Sequence, residues 1–206
     1  MLPRLAQGFT LIEVLIVVAI IIMLAAMLMP VFEVATKRAE ATSCLTNVRS
    51  ISIAAALYAE DNDDILLPAR VSGGPVGYSG IGWGLTIQPY LRNEAVLVCT
   101  SDTNPTVATG TYGVKRSYGI NYELTLVGGY NNSALELGDI KDETRTIMFF
   151  DIRSDLRRLG LFYPYDGTAA VAARHREGAN FAFVDGHAKW FRLEQTSTPE
   201  NFWSPY

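Results

Sequence analysis

The chain has 206 residues, 49% of them hydrophobic, and a formal net charge of −4. That size accommodates one domain, or one domain with an anchor. The negative balance and the lack of any Lys/Arg-rich run argue against a nucleic-acid surface, which needs clustered cations to track phosphates.

Taken from its start, the chain is dominated by one apolar stretch. From Leu11 to Met29 every side chain is hydrophobic except Glu13. At about 1.5 Å of rise per residue, such a helix is long enough to cross a bilayer. A carboxylate at the centre of a membrane helix costs roughly 2.5–3.5 kcal/mol by insertion scales, so Glu13 calls for a partner. Charge leaves the orientation balanced, since Arg4 precedes the run and Lys37 and Arg38 follow it. A secretory signal would place small residues after the apolar core as a cleavage site, and only Ala25-Ala26 offers a trace of one.

The segment Gly8-Phe9-Thr10-Leu11-Ile12-Glu13 resembles the processing signal of type IV pilins and of the pseudopilins of type II secretion. The resemblance implies cleavage between Gly8 and Phe9 by a prepilin peptidase that also methylates the new Phe9 amine. It also implies that Glu13 neutralises the Phe9 ammonium of a neighbouring subunit, because a buried charge is tolerable only when paired. The implied partners are that peptidase and N-methyltransferase, other pilin or pseudopilin subunits, and membrane lipid. The implied location is the bacterial inner membrane, crossed once, with the head in the periplasm or on the cell surface after assembly. The alternative reading of Glu13 is a carboxylate at headgroup level, capped by the positive end of the helix dipole.

Beyond Met29, Pro30 predicts a kink without ending the helix. Val34, Ala41, Val48 and Ala55 recur every seven residues, with Cys44, Ile51 and Tyr58 three positions on, as an apolar stripe. Lys37, Arg38, Glu40, Thr46, Asn47 and Arg49 occupy the opposite side. A helix from Phe9 to Glu60 would measure roughly 75–80 Å. Asp61-Asn62-Asp63-Asp64 and then Pro68 mark its end. That acidic cluster has oxygens for Ca²⁺ but lacks the Gly and distal Glu of an EF-hand loop, so a solvated helix end is the simpler reading and no cofactor is expected. The resulting division is a leader at 1–8, a membrane-spanning half-helix at 9–29, an amphipathic half at 30–62 and a β-rich head at 63–206.

Within the head, Val71–Gly84 reads as an irregular loop anchored by Tyr78 and Trp83, and Leu85–Leu91 as a short helix. Glu94–Thr100, Ser117–Tyr122 and Thr146–Asp151 read as strands, the last one buried, with a turn over Ser101–Pro105. Cys44 and Cys99 are the only cysteines and lack metal-ligand spacing; outside the cytoplasm they form either one bridge or two buried thiols. Asp185-Gly186 between alternating residues predicts a type I′ hairpin. In that register Val184 faces His187, and Phe181, Phe183, Ala188 and Trp190 share one face.

The only two histidines flank this turn region. His175, Asp185 and His187 are of the right types for a metal, although turn chemistry already accounts for Asp185. The segment is similar to the carboxy-terminal box of a bacterial pseudopilin-like group, with a His ten residues before Asp-Gly. That group also shows Cys-x-x-Asn in the helix, matched by Cys44-Leu45-Thr46-Asn47, and Tyr-Ala-x-Asp-Asn at its end, matched by Tyr58-Ala59-Glu60-Asp61-Asn62. The expected fold is α+β: a long kinked N-terminal helix, membrane-spanning in its first half, packed on an antiparallel β-sheet head as in pilins. The expected function is a structural subunit with no catalysis of its own. Two other classes compete: a membrane-anchored module binding Ca²⁺ or a glycan, and an anchored hydrolase built on His175, Asp151 and Asp185.

Overall fold

From Leu11 onward the chain makes one element, α1 (Leu11–Glu60), with Pro30 inside it. The computed structural model describes residues 9–71, 81–107, 114–125, 134–153, 161–162, 170–197 and 201–206. The expected leader, most of the Val71–Gly84 loop and Tyr78 lie outside them. The chain divides into two compact units, Met1–Ala39 and Glu40–Tyr206.

In the first unit, α1 presents its large apolar side chains outward, from Leu11 through Met29 to Val34. An apolar surface of this extent is unstable in water and natural in lipid. The segment is long and apolar enough to cross a membrane. Helix continuity at Pro30 shows that the missing N–H is tolerated without ending the element.

In the second unit α1 becomes amphipathic. Cys44, Val48, Ile51, Ser52, Ala54, Ala55 and Ala59 are buried, so the stripe read from the heptad spacing is real from Cys44 onward. Asn47, expected on the polar side, is half-buried and donates from Nδ2 to the Val98 carbonyl at 3.3 Å. The helix ends as Asn62 Nδ2 bonds the Tyr58 carbonyl at 2.7 Å and Asp63 and Asp64 take positive φ of 54° and 60°.

A two-residue pair follows, β1 (Arg70–Val71) with β2 (Ile81–Gly82), leading into α2 (Trp83–Thr86) and a 3₁₀ turn at Gln88–Tyr90. Glu94–Leu97 is a 3₁₀ helix, not the expected strand. Asn93 decides this: its side chain accepts the Ala95 N–H at 3.0 Å, offering the backbone a local partner in place of a ladder. β3 (Thr106–Val107) pairs with β4 (Lys115–Arg116).

The main sheet contains β5 (Tyr118–Asn121), β6 (Ile147–Asp151), β7 (Leu161–Phe162), β8 (Ala179–Phe183) and β9 (Ala188–Phe191), in the order β7-β5-β6-β8-β9. β5, β6, β8 and β9 are antiparallel, and β7 joins the edge parallel to β5. The arrangement is α+β and pilin-like. A bulge between Ile147 and Phe149 turns Met148 and Phe149 together toward the helix side, leaving Ile147 and Phe150 on the other. Each face therefore has its own core. α1, Trp83, Leu97, Tyr118 and Phe149 fill one. Phe150, Phe181, Phe183 and Trp203, flanked by Phe191 and Phe202, fill the other. Ser52 Oγ donates to the Phe183 carbonyl at 2.6 Å, tying helix to sheet through a buried bond.

The β8–β9 hairpin corrects the predicted register by one residue. Phe181 pairs with Lys189 and Ala182 with Ala188. Gly186 N–H donates to the Phe183 carbonyl at 3.1 Å, and Phe183 N–H to the His187 carbonyl at 2.9 Å. Only Gly186 there has positive φ, at 89°, so the loop is a three-residue turn with a bulged glycine rather than type I′. Phe181 and Phe183 consequently share a face with Phe191, not with Ala188 and Trp190.

Two consecutive positive-φ residues occur instead at Arg176 (53°) and Glu177 (63°), where His175 and Gly178 exchange both backbone bonds at 3.0 Å. A Cβ at Gly178 would collide with the Phe191 carbonyl and the Trp190 ring. Gly178→Ala is accordingly expected to cost about 2–3 kcal/mol, read as a lowered urea midpoint, because backbone on one side cannot yield.

Candidate functional site

At the membrane end, Thr10 and Glu13 close on each other. Glu13 Oε2 accepts the Thr10 N–H at 2.9 Å and its hydroxyl at 2.7 Å, while the Glu13 N–H points to Thr10 Oγ1 at 3.4 Å. This is a capping box, in which a Thr and the Glu three residues later satisfy backbone donors that a helix start leaves open. The order Thr-Leu-Ile-Glu thus has a local cause besides charge. A carboxylate accepts more than one donor, so Glu13 retains capacity for an ammonium from outside the chain.

A second constellation is buried in the head. Cys44 on α1 is bonded to Cys99 in a disulfide with a Cα–Cα distance of 5.1 Å, and neither residue is exposed. Flanking contacts hold both: Tyr118 Oη donates to the Cys44 carbonyl at 3.2 Å, and Asn47, one turn along the helix, grips Val98. Buried His175 places Nε2 3.4 Å from Cys99 Sγ and 3.6 Å from Asp151 Oδ2. Trp190 Nε1 fixes the His175 carbonyl at 2.6 Å.

Asp151, at the end of β6, is fully buried. Its Oδ2 accepts the Asn180 N–H at 2.8 Å and its Oδ1 faces Arg174 Nη1 at 3.3 Å. Arg174 also reaches the Ser117 carbonyl at 3.2 Å, the Ile152 carbonyl, and Asp102 Oδ2 at 3.5 Å. Burial pushes the Asp151 carboxyl up to about 7, against the pull of Arg174 and the Asn180 N–H. Burial also lowers His175, helped by the Arg174 charge, so the imidazole is neutral near pH 7.

Residues 3–29 match the family model of the prokaryotic N-terminal methylation motif. The chain carries a prokaryotic N-terminal methylation motif. This is consistent with the type IV pilin and pseudopilin family, and the apolar helix fits a single-pass inner-membrane anchor. No curated protein and no solved structure matches the chain.

The methylation motif covers Gly8, Phe9 and Glu13. Gly8 lies outside the described residues, Phe9 is exposed two residues before α1, and Glu13 sits in the capping box. His175, Asp185 and His187 do not come together as a ligand group. Asp185 Oδ1 pairs instead with His187 Nδ1 at 2.6 Å on the surface, and His187 stacks on Phe183 with centroids 4.2 Å apart. Among the described residues, the group of His, Cys, Asp or Glu able to hold a metal is Cys44, Cys99 and His175. The hydrolase trio divides likewise: Asp151 neighbours His175, whereas the groove of about 210 Å³ beside Asp185 is lined by neither. Sequence reading missed the Asp151–Arg174 link, although a carboxylate closing the apolar run Ile147-Met148-Phe149-Phe150 is the signal of a buried, partnered charge.

Proposed function

We propose that the chain is a structural subunit of a pilus-like filament, either a type II secretion pseudopilus or a type IV pilus, and performs no catalysis. In this reading the peptidase cuts after Gly8 and methylates Phe9, and the Phe9 ammonium of one subunit meets Glu13 of the next. The observation that carries it is the methylation motif placed directly on an outward-facing apolar helix, with Glu13 anchored at its first turn. Assembly would bury the carboxylate and the ammonium together, which is favourable relative to leaving either alone in lipid. The head then lies on the periplasmic side or on the cell surface.

The mass of the N-terminal peptide from native membranes tests this directly, because it reports cleavage and methylation together. A peptide beginning at methylated Phe9 is expected. Gly8→Glu should retain residues 1–8, and a variant still trimmed at Phe9 would overturn the assigned cut. Glu13→Ala should insert and be processed normally while lowering filament yield at least tenfold. The Thr10 N–H and hydroxyl lose their acceptor in the same variant, so Thr10→Val serves as a control for capping alone.

A further inference from the structure

We propose that Cys44, Cys99 and His175 form a zinc site in the chain before its cysteines are oxidised, with Asp151 Oδ2 as the nearest further donor. The sulfur atoms and Nε2 all lie within 4.8 Å of one another and all three residues are buried. In a tetrahedral zinc site with sulfur and imidazole ligands, adjacent S and N donors stand about 3.6 Å apart and N and O donors about 3.3 Å. The observed spacings are 3.4 Å from Cys99 Sγ to His175 Nε2 and 3.6 Å from that nitrogen to Asp151 Oδ2, and the two sulfurs, bonded to each other here, part on reduction to the roughly 3.8 Å that two zinc-bound sulfurs need.

The oxidised form makes poor use of this nitrogen. A disulfide sulfur is a weak acceptor, and the oxygen at 3.6 Å is beyond hydrogen-bond reach. The imidazole, held through its backbone by Gly178 and Trp190, is already positioned as a ligand. Charge selects the ion. Two thiolates balance a divalent cation, whereas a monovalent one would leave a buried negative charge unpaired. Arg174 lies 3.5 Å from Asp102 Oδ2 and so adds no uncompensated cation nearby.

A newly inserted chain carries both thiols and needs no reductant; binding of Zn²⁺ displaces their two protons and leaves sulfur unoxidised. Later exchange with an external disulfide, which takes up the two electrons together with two protons from water and is reduced to its two thiols, forms the S–S bond and expels Zn²⁺. Bridge and metal are thus alternative closures of one junction between α1 and the segment after Leu97.

The test uses the full chain in detergent micelles, reduced anaerobically with a phosphine. The phosphine becomes its oxide with oxygen from water, and the disulfide gains two electrons and two protons. Zn²⁺ titration should bind one ion per chain with release of two protons, and Co²⁺ should give the visible bands of a tetrahedral thiolate complex. His175→Ala should weaken Zn²⁺ at least tenfold and change the Co²⁺ spectrum, while Zn²⁺ should slow diamide oxidation of the wild-type thiols at least tenfold. The proposal fails if the reduced wild type is folded by circular dichroism yet takes up no Zn²⁺, or if His175→Ala binds with equal affinity and an identical spectrum. It fails equally if the reduced chain is unfolded and Zn²⁺ does not restore it.

Discussion

Replacing Cys44 and Cys99 together by alanine is expected to lower stability by about 4 kcal/mol at 25 °C. The bridge closes a loop with a sequence separation of 55, and the chain-entropy relation for a loop of that length gives this figure. Within that loop Leu66, Leu67, Trp83, Ile87 and Leu97 pack into the core that α1 lines. The bridge fastens the segment around Cys99 to the amphipathic half of α1. Beside the packing around Trp83 and Leu97, hydrogen bonds run there from Asn47 to Val98, Tyr118 to the Cys44 carbonyl, and Ser101 to Glu40, each worth on the order of 1 kcal/mol. Domains are commonly stable by only about 5–15 kcal/mol, so this loss should be visible in any urea titration of the full chain in micelles. Equal midpoints for the variant and the oxidised wild type would show that packing around Trp83 and Leu97 holds the segment without the bond.

The parts of this fold legible in the sequence are those governed by local periodicity. The apolar run from Leu11, the stripe through Val48, Ile51 and Ala55, and the buried strand at Ile147–Asp151 follow from composition and spacing alone. The failures share a physical cause. Glu94–Leu97 is apolar enough for a strand, but the Asn93 side chain captured its backbone first. The hairpin at Asp185-Gly186 was correctly placed and wrongly typed, because both turn forms want glycine at that point and only the sheet's register separates them. The buried polar constellation was the least legible. Cys44, Cys99, Asp151 and His175 are far apart in sequence, and nothing local announces that the strand order of the sheet brings them together. In the structure Cys44 and Asn47 lie one turn apart and both engage the Val98-Cys99 segment, and His175 Nε2 lies 3.4 Å from Cys99 Sγ.

The pH dependence of stability should change by about 4 kcal/mol between wild type and Asp151→Asn. The native carboxyl of Asp151 is pushed up to about 7 from an ordinary 3.8, chiefly by burial. Between those values the unfolded chain has lost its proton and the native chain keeps it, so raising the pH favours unfolding. The contribution is therefore complete below pH 4, declines up to about pH 7 and is flat above. Asn180 N–H and Arg174 both meet the carboxylate and moderate the decline without reversing it. His175 runs the other way, since its lowered native value means that the unfolded chain binds the extra proton below about pH 6.5. The raw wild-type curve mixes the two trends, and only the difference from Asp151→Asn isolates the carboxyl. Urea unfolding of both full-length proteins in micelles at several pH values from 4 to 8 reads that difference, which should move in favour of the asparagine as the pH rises. Parallel curves would mean that Arg174 keeps Asp151 ionised throughout, making the carboxylate a plain ion-pair partner rather than a group that holds its proton in the folded head.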